Sequence, residues 1–369
     1  MSTFLSTLKY IFIFFFGLAF ILLMGLASLM RPDIPVDRLI ETYANESSIF
    51  MHIDGMNVHV RDEGNGPAIL LLHGTFSSLH TWDDWTTALS DSFRVIRLDL
   101  PGFGLTGPHP SNDYSNKATL LLLDTLRQNL GISSWSMAGN SLGGRIAMNY
   151  ARHFPQQTDN LILLNPAYNL PPNPLLVQNL DVNKNLSISE NDTVSKNSQI
   201  VNNPPTNTAQ QENQSVQRPL VSRSLRNPAI LNLLSVLTPR SFIHFALKEV
   251  YADEERINMD TVQRYFELLR RDGNRKTYLT RNEPPSVDRS YLPELPEPIS
   301  PYEIQSPILI MWGEKDKWIP VRWAPVLNSA LTHSELIIYP DAGHVPMEEI
   351  PEITVRDAKI FLGLNYSKN

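Results

Sequence analysis

The chain has 369 residues, enough for one large α/β domain carrying an insertion or for two modest domains. Its net charge of -7, with no basic tract to offset the acidic background, argues against a nucleic-acid partner. The absence of cysteine removes disulfides, thiolate metal sites, a cysteine nucleophile and a lipidated cysteine at once.

Tyr10 to Met30 is a charge-free run rich in Phe, Ile and Leu. As one helix it would extend about 31 Å, close to the thickness of a bilayer's hydrocarbon core. It therefore reads as an uncleaved N-terminal transmembrane helix over residues 1–31. This makes the membrane a partner and places the chain as a single-pass protein, in the bacterial inner membrane. A cleaved signal peptide is the rival reading, since Gly25 and Ala27 could mark a cleavage site, but such apolar cores usually run only about 7–15 residues. Lys9 on one flank and Arg31 and Arg38 on the other do not choose a face.

Residues 32–47 follow as a Pro-containing linker. Ile49–Asp54, Gly55 and Met56–Arg61 alternate like a β-hairpin. Ala68–Leu72 and Arg94–Leu98 are apolar runs suited to strands buried on both faces of a parallel sheet, with a short helix over Trp82–Leu89 between them. Ser115–Leu130 reads as a helix with Ser115 as N-cap and Gly131 past its end. Ser134–Ala138, Leu142–His153 and Leu161–Leu164 continue the alternation as strand, helix and strand, the pattern of βαβ units around a mostly parallel sheet. The rhythm breaks at residues 168–306, read as a cap insertion. Within it Asn179–Gln217 is crowded with Asn, Ser, Gln and Thr and reads as a flexible, dispensable excursion. Pro228–Arg271 regains helical periodicity, with Leu231, Leu234, Leu237, Phe242 and Phe245 among its apolar positions. Sheet logic resumes in residues 307–369, with strands at Pro307–Trp312 and Glu335–Tyr339 and a helix near Ile353–Leu362. The fold class is α/β, with residues 48–167 and 307–369 as two halves of one core.

Gly139-Asn140-Ser141-Leu142-Gly143 fits G-x-S-x-G between a strand and a helix, the context of a nucleophile elbow. A strand that turns directly into a helix leaves no room for side chains at the flanking positions. The helix N-terminus behind Ser141 also favours the negative charge of acyl transfer. His73-Gly74-Thr75 follows the strand Ala68–Leu72, so the backbone N–H of Thr75 joins that of Leu142 as the oxyanion-hole pair; His73 itself reads as a structural hydrogen-bonder. The base is His344, in Asp341-Ala342-Gly343-His344 after the last strand. The acid is Asp316, in Gly313-Glu314-Lys315-Asp316, with Glu314 the weaker choice. Asn165 holds the other position from which an acid could come and cannot carry the charge. Asp99 reads as a loop brace. No histidine pair has metal-ligand spacing, so neither metal nor cofactor is expected.

These segments, with Asp99–Gly104, resemble the α/β-hydrolase fold family. The nearest subgroup is the serine-triad one of bacterial lipolytic esterases, monoacylglycerol lipases and meta-cleavage-product hydrolases. The resemblance implies that a small-molecule ester, lipid-like or with a medium-chain acyl group, is hydrolysed through an acyl-enzyme. Hydrolysis of a carbon–carbon bond by the same triad is the alternative, and a non-catalytic small-ligand receptor on the same fold is a second. Dehalogenases and epoxide hydrolases of this fold carry aspartate where this chain has Ser141.

Overall fold

The computed structural model describes residues 10, 12–18, 20–21, 24–25, 30–168, 170 and 238–363. The chain divides into two compact units, Met1–Asn169 with Ser235–Asn369, and Leu170–Leu234. The polar stretch Asn179–Gln217, and Leu231, Leu234 and Leu237, lie outside the described residues.

The first unit is built on an eight-stranded sheet: β1 (Ser48–Ile53), β2 (Met56–Glu63), β3 (Ala68–Leu72), β4 (Arg94–Leu98), β5 (Trp135–Asn140), β6 (Thr158–Leu164), β7 (Ile308–Gly313) and β8 (Ser334–Tyr339), in the order β1-β2-β4-β3-β5-β6-β7-β8. The β1–β2 hairpin and the β2–β4 pair are antiparallel, and every other pair is parallel. The apolar run of β3 is buried almost throughout, as expected of a strand covered on both faces. In the core segments flanking the strands the helices are α2 (Asp83–Leu89), α3 (Asn116–Asn129), α4 (Leu142–His153), α8 (Trp323–Ala330), α9 (Pro346–Glu349) and α10 (Pro351–Phe361). Ser115 caps α3, its side chain accepting from the Ala118 N–H at 3.2 Å.

Residues 32–47, expected as a linker, carry helix α1 (Val36–Tyr43), whose Leu39 is buried with Leu105 and Leu268. One apolar face four residues apart was too weak a signal against the surrounding prolines. Before it, the spanning helix expected at Tyr10–Met30 is overturned: among the described residues no helix is long and apolar enough to cross a membrane. The single-pass placement in the bacterial inner membrane falls with it, as does the membrane partner reached through that helix. An apolar composition is necessary for a spanning helix but does not establish one.

Between the sheet halves, α5 (Arg240–Val250), α6 (Met259–Leu269) and α7 (Asn274–Thr280) make the described part of the cap. Ile243 and Leu247, four residues apart on α5, pack into the core with Val262 and Phe266 of α6. Phe242 and Phe245, read from the sequence as part of the apolar pattern, stand exposed instead.

Buried polar groups fix the loops after β3 and β4, Asp99 joining the two to each other and His80 joining the first to α1. Asp99, just past β4, accepts from the N–H groups of Leu79 and Leu105, both at 2.8 Å, and from His59 Nδ1 at 2.8 Å. Burial raises its carboxyl pKa, but the His59 hydrogen bond and charge outweigh that and hold it below the usual range. His80, buried between Tyr43 O at 3.0 Å and Ser78 Oγ at 3.2 Å, is pushed down to about 4 by desolvation.

Asp99→Ala leaves buried donors unpaired and is expected to cost about 3–5 kcal/mol in urea unfolding; a loss under about 1 kcal/mol would contradict the bracing role. For His80, the unfolded imidazole protonates near 6.5 and the folded one only near 4. The unfolded state thus holds the extra proton between those values, and stability is lost as pH falls through that window. The melting temperature should drop from pH 6.5 to 4, and His80→Gln should flatten that drop; an unchanged slope would contradict the assignment.

Candidate active site

Parallel strands end on one edge, and the loops leaving that edge bring the candidate residues together. Ser141 sits between β5 and α4 at φ 53° and ψ -111°, a left-handed conformation that a non-glycine residue adopts at a cost. What forces it is lack of space. A Cβ on Gly143 would collide with the Leu72 carbonyl oxygen of β3, so α4 can start this close to the sheet only with glycine there. Ser141 is held through its backbone: its N–H donates to Leu164 O at 3.0 Å and its carbonyl accepts from Ala167 N at 2.9 Å.

The loop after β3 lies against this turn, since a Cβ on Gly74 would come within 3.3 Å of Ser141 Cβ. His73 is fully buried and fixes the loop: Nδ1 donates to Gly74 O at 2.7 Å and Nε2 accepts from Leu100 N at 3.0 Å. Desolvation lowers its pKa and keeps it neutral, which suits a structural imidazole. Thr75 follows immediately. Its N–H has no hydrogen bond among the described residues, and neither does that of Leu142, the first residue of α4, which has no acceptor within its helix.

His344 and Asp316 meet from the ends of β8 and β7. His344 Nδ1 donates to Asp316 Oδ2 at 2.7 Å, and both side chains are buried. The other carboxylate oxygen accepts from the N–H groups of Trp318 at 2.7 Å and Ile319 at 2.9 Å. Glu314 is exposed, with no such partner. Among the described residues no hydrogen bond reaches the Ser141 hydroxyl; such contacts often tighten only when substrate is present.

Three supporting residues escaped the sequence reading. Asn165, at φ 44° beyond β6, donates to Asp316 Oδ2 at 2.7 Å and to Gly343 O at 3.3 Å, and accepts from Gly313 N at 3.3 Å. The position judged unable to supply an acid instead braces the Asp316 carboxylate. The β6–β7 register, which pairs Leu164 with Met311, could have shown that the two loops are neighbours. Asn140 donates to His344 O at 2.9 Å, so the residue before Ser141 holds the loop of His344. Glu349 accepts from Gly343 N at 2.8 Å and from Ala252 N at 2.7 Å, tying that loop to the segment after α5. Burial raises the Glu349 pKa despite these hydrogen bonds.

Phe76, Phe103, Leu268, Leu269 and Tyr278 line a narrow cleft beside the loop of Thr75. A separate crevice of about 470 Å³ contains none of the candidate residues, and its charged side chains pair among themselves, Arg97 with Glu63 at 2.8 Å and Arg61 with Asp83 at 3.6 Å.

Comparison with known proteins agrees with this architecture. The family model described as alpha/beta hydrolase fold matches residues 67–351. An uncharacterised protein of Mycobacterium tuberculosis is 28% identical over 306 residues, covering 82% of this chain and 77% of its own. Lipase 3 of a Moraxella species is 24% identical over 318 residues, covering 84% and 81%. Among solved structures, a meta-cleavage product hydrolase of Pseudomonas fluorescens superposes with a TM-score of 0.60 at 18% identity, covering 85% of this chain and 96% of that one. With the parallel sheet, the strained turn and the match over most of its length, the chain belongs to the alpha/beta hydrolase fold family.

Proposed function

We propose that the protein is a serine hydrolase that cleaves carboxylic esters, with a lipid-like or medium-chain acyl group, through a Ser141–His344–Asp316 acyl-enzyme mechanism. The observation that carries this reading is the strained Ser141 turn at the head of α4, opposite a buried His344–Asp316 pair. The likeness to a lipase supports the choice of substrate.

In this mechanism Ser141 Oγ attacks the ester carbonyl carbon while His344 Nε2 takes its proton. Asp316 keeps Nδ1 as the protonated nitrogen and stabilises the imidazolium that forms. The N–H groups of Thr75 and Leu142 bind the oxyanion, aided by the positive end of the α4 dipole. His344 then protonates the leaving alkoxide, and the acyl-enzyme is opened by a water that gives its proton to the same nitrogen. The free acid departs and Ser141 recovers its hydrogen.

Ser141→Ala is expected to lower kcat on a p-nitrophenyl ester by about 10⁶, and a variant keeping a tenth of wild-type turnover would refute the assignment. Asp316→Asn should lose about 10⁴ while remaining folded by circular dichroism, because the amide presents the wrong histidine tautomer. A larger loss from Glu314→Gln would overturn the choice of acid. Asn165→Ala removes one hydrogen bond to the charged carboxylate and should lower kcat about 10- to 100-fold with KM nearly unchanged. A pure KM effect would show that it touches substrate rather than Asp316.

A further inference from the structure

The Thr75 N–H is presented by a strained turn. Ser77 N–H donates to Gly74 O at 3.3 Å, closing a turn with Thr75 and Phe76 at its centre. Phe76 sits there at φ 65°, where glycine is the usual residue and a bulky side chain costs free energy. The turn keeps this conformation only if its neighbours hold it. From the sheet side it is held through Gly74 O, which also accepts from His73 Nδ1 at 2.7 Å.

The cap supplies two further holds. The Tyr265 hydroxyl of α6 donates to Glu348 Oε2 at 2.7 Å. It therefore accepts from the Ser77 hydroxyl at 3.1 Å, since a phenol has one hydrogen and a carboxylate can only accept. Arg264, beside Tyr265 on α6, fixes the same carboxylate through Nη2 on Oε1 at 2.6 Å. Glu348 lies on α9, the helix that follows His344. From α7, the Tyr278 ring packs on the Phe76 ring at 4.1 Å between centroids. One end of the turn is thus tied by Tyr265 to the helix after His344, and the strained residue itself is pinned by Tyr278.

We infer that Tyr265 and Tyr278 are positioning residues for ester hydrolysis: they keep the Gly74–Ser77 turn strained and so place the Thr75 N–H where the oxyanion forms. The inference rests on the serine-hydrolase reading and adds that the cap assembles the oxyanion site rather than merely covering it. Without the two tyrosine contacts Phe76 relaxes toward negative φ, and the turn that carries the Thr75 N–H shifts with it. The oxyanion exists only in the transition state and the tetrahedral intermediate. Misplacing its donor therefore lowers kcat and leaves KM alone. Because Tyr265 also reaches α9, its hydroxyl keeps the oxyanion turn in register with the His344 loop.

The test uses the full chain, a p-nitrophenyl ester and hexyl trifluoromethyl ketone. Ser141 Oγ adds to the ketone carbonyl carbon as His344 takes the hydroxyl proton, and the carbonyl oxygen becomes a standing oxyanion facing the Thr75 and Leu142 N–H groups. Tyr265→Phe deletes one oxygen and keeps the ring. It should lower kcat and raise the ketone Ki, each about tenfold, with KM nearly unchanged. Tyr278→Leu should move both in the same direction by about fivefold. Glycine holds positive φ without support, so in a Phe76→Gly background Tyr265→Phe should lose most of its effect on Ki. Unchanged kcat and Ki in both tyrosine variants, a loss confined to KM or to the melting temperature, or an equal loss in the Phe76→Gly background overturns the positioning role while ester hydrolysis stands. A wild-type chain that neither turns over the ester nor binds the ketone contradicts the hydrolase reading, and the inference falls with it.

Discussion

The close approach of α4 to β3 at Gly143 is the constraint on which the candidate site depends. Helix α4 must begin where β5 ends, and the Leu72 carbonyl occupies the space a side chain would need. The chain meets that restriction by placing Ser141 in the left-handed region, and the first N–H of α4 is left without a hydrogen-bond partner among the described residues. Backbone strain of this kind costs about 1–3 kcal/mol and persists only where the surroundings over-determine it. Here the surroundings are the carbonyl of Leu164, the N–H of Ala167 and the Gly74 loop.

The second half of the site is arranged by hydrogen bonds. His344 is held by its ring on Asp316, by its N–H on Val250 O at 2.8 Å, and by its carbonyl on Asn140. Asp316 in turn spends both oxygens on the Asn165 amide and on two backbone N–H groups. Tyr265 of α6 extends this network to the other side, donating to Glu348 at 2.7 Å and meeting Ser77 Oγ at 3.1 Å. The cap helix thus touches both the loop of Thr75 and the helix after His344. Displacing α6 would disturb the proposed oxyanion donor and base together, a coupling that no single motif conveys.

Much of the core was legible because buried parallel strands are written as short apolar runs. Ala68–Leu72, Arg94–Leu98 and Leu142–His153 have the same bounds in sequence and structure. The strained turn at Ser141 and the meeting of Asp316 with His344 were legible for a related reason: each residue sits on a glycine-marked loop at the carboxyl end of a strand. The bracing residues were not, because Asn165, Asn140 and Glu349 act across contacts far apart in sequence and carry no local pattern. Helix α1 was missed because its buried face reduces to Leu39. The apolar run at Tyr10–Met30 misled in the opposite sense, since composition was taken for a continuous spanning helix. In α5 the larger apolar residues drew attention, yet the face that packs is Ile243 and Leu247.

The central claim is that Ser141 is a nucleophile activated by its surroundings and not merely a serine in a tight turn. Incubating the full chain with a fluorophosphonate and mapping the adduct by peptide mass spectrometry tests this most directly. The account requires one equivalent of adduct, located on Ser141 and strongly slowed in His344→Ala. An unmodified Ser141, or an adduct on another serine, would contradict it.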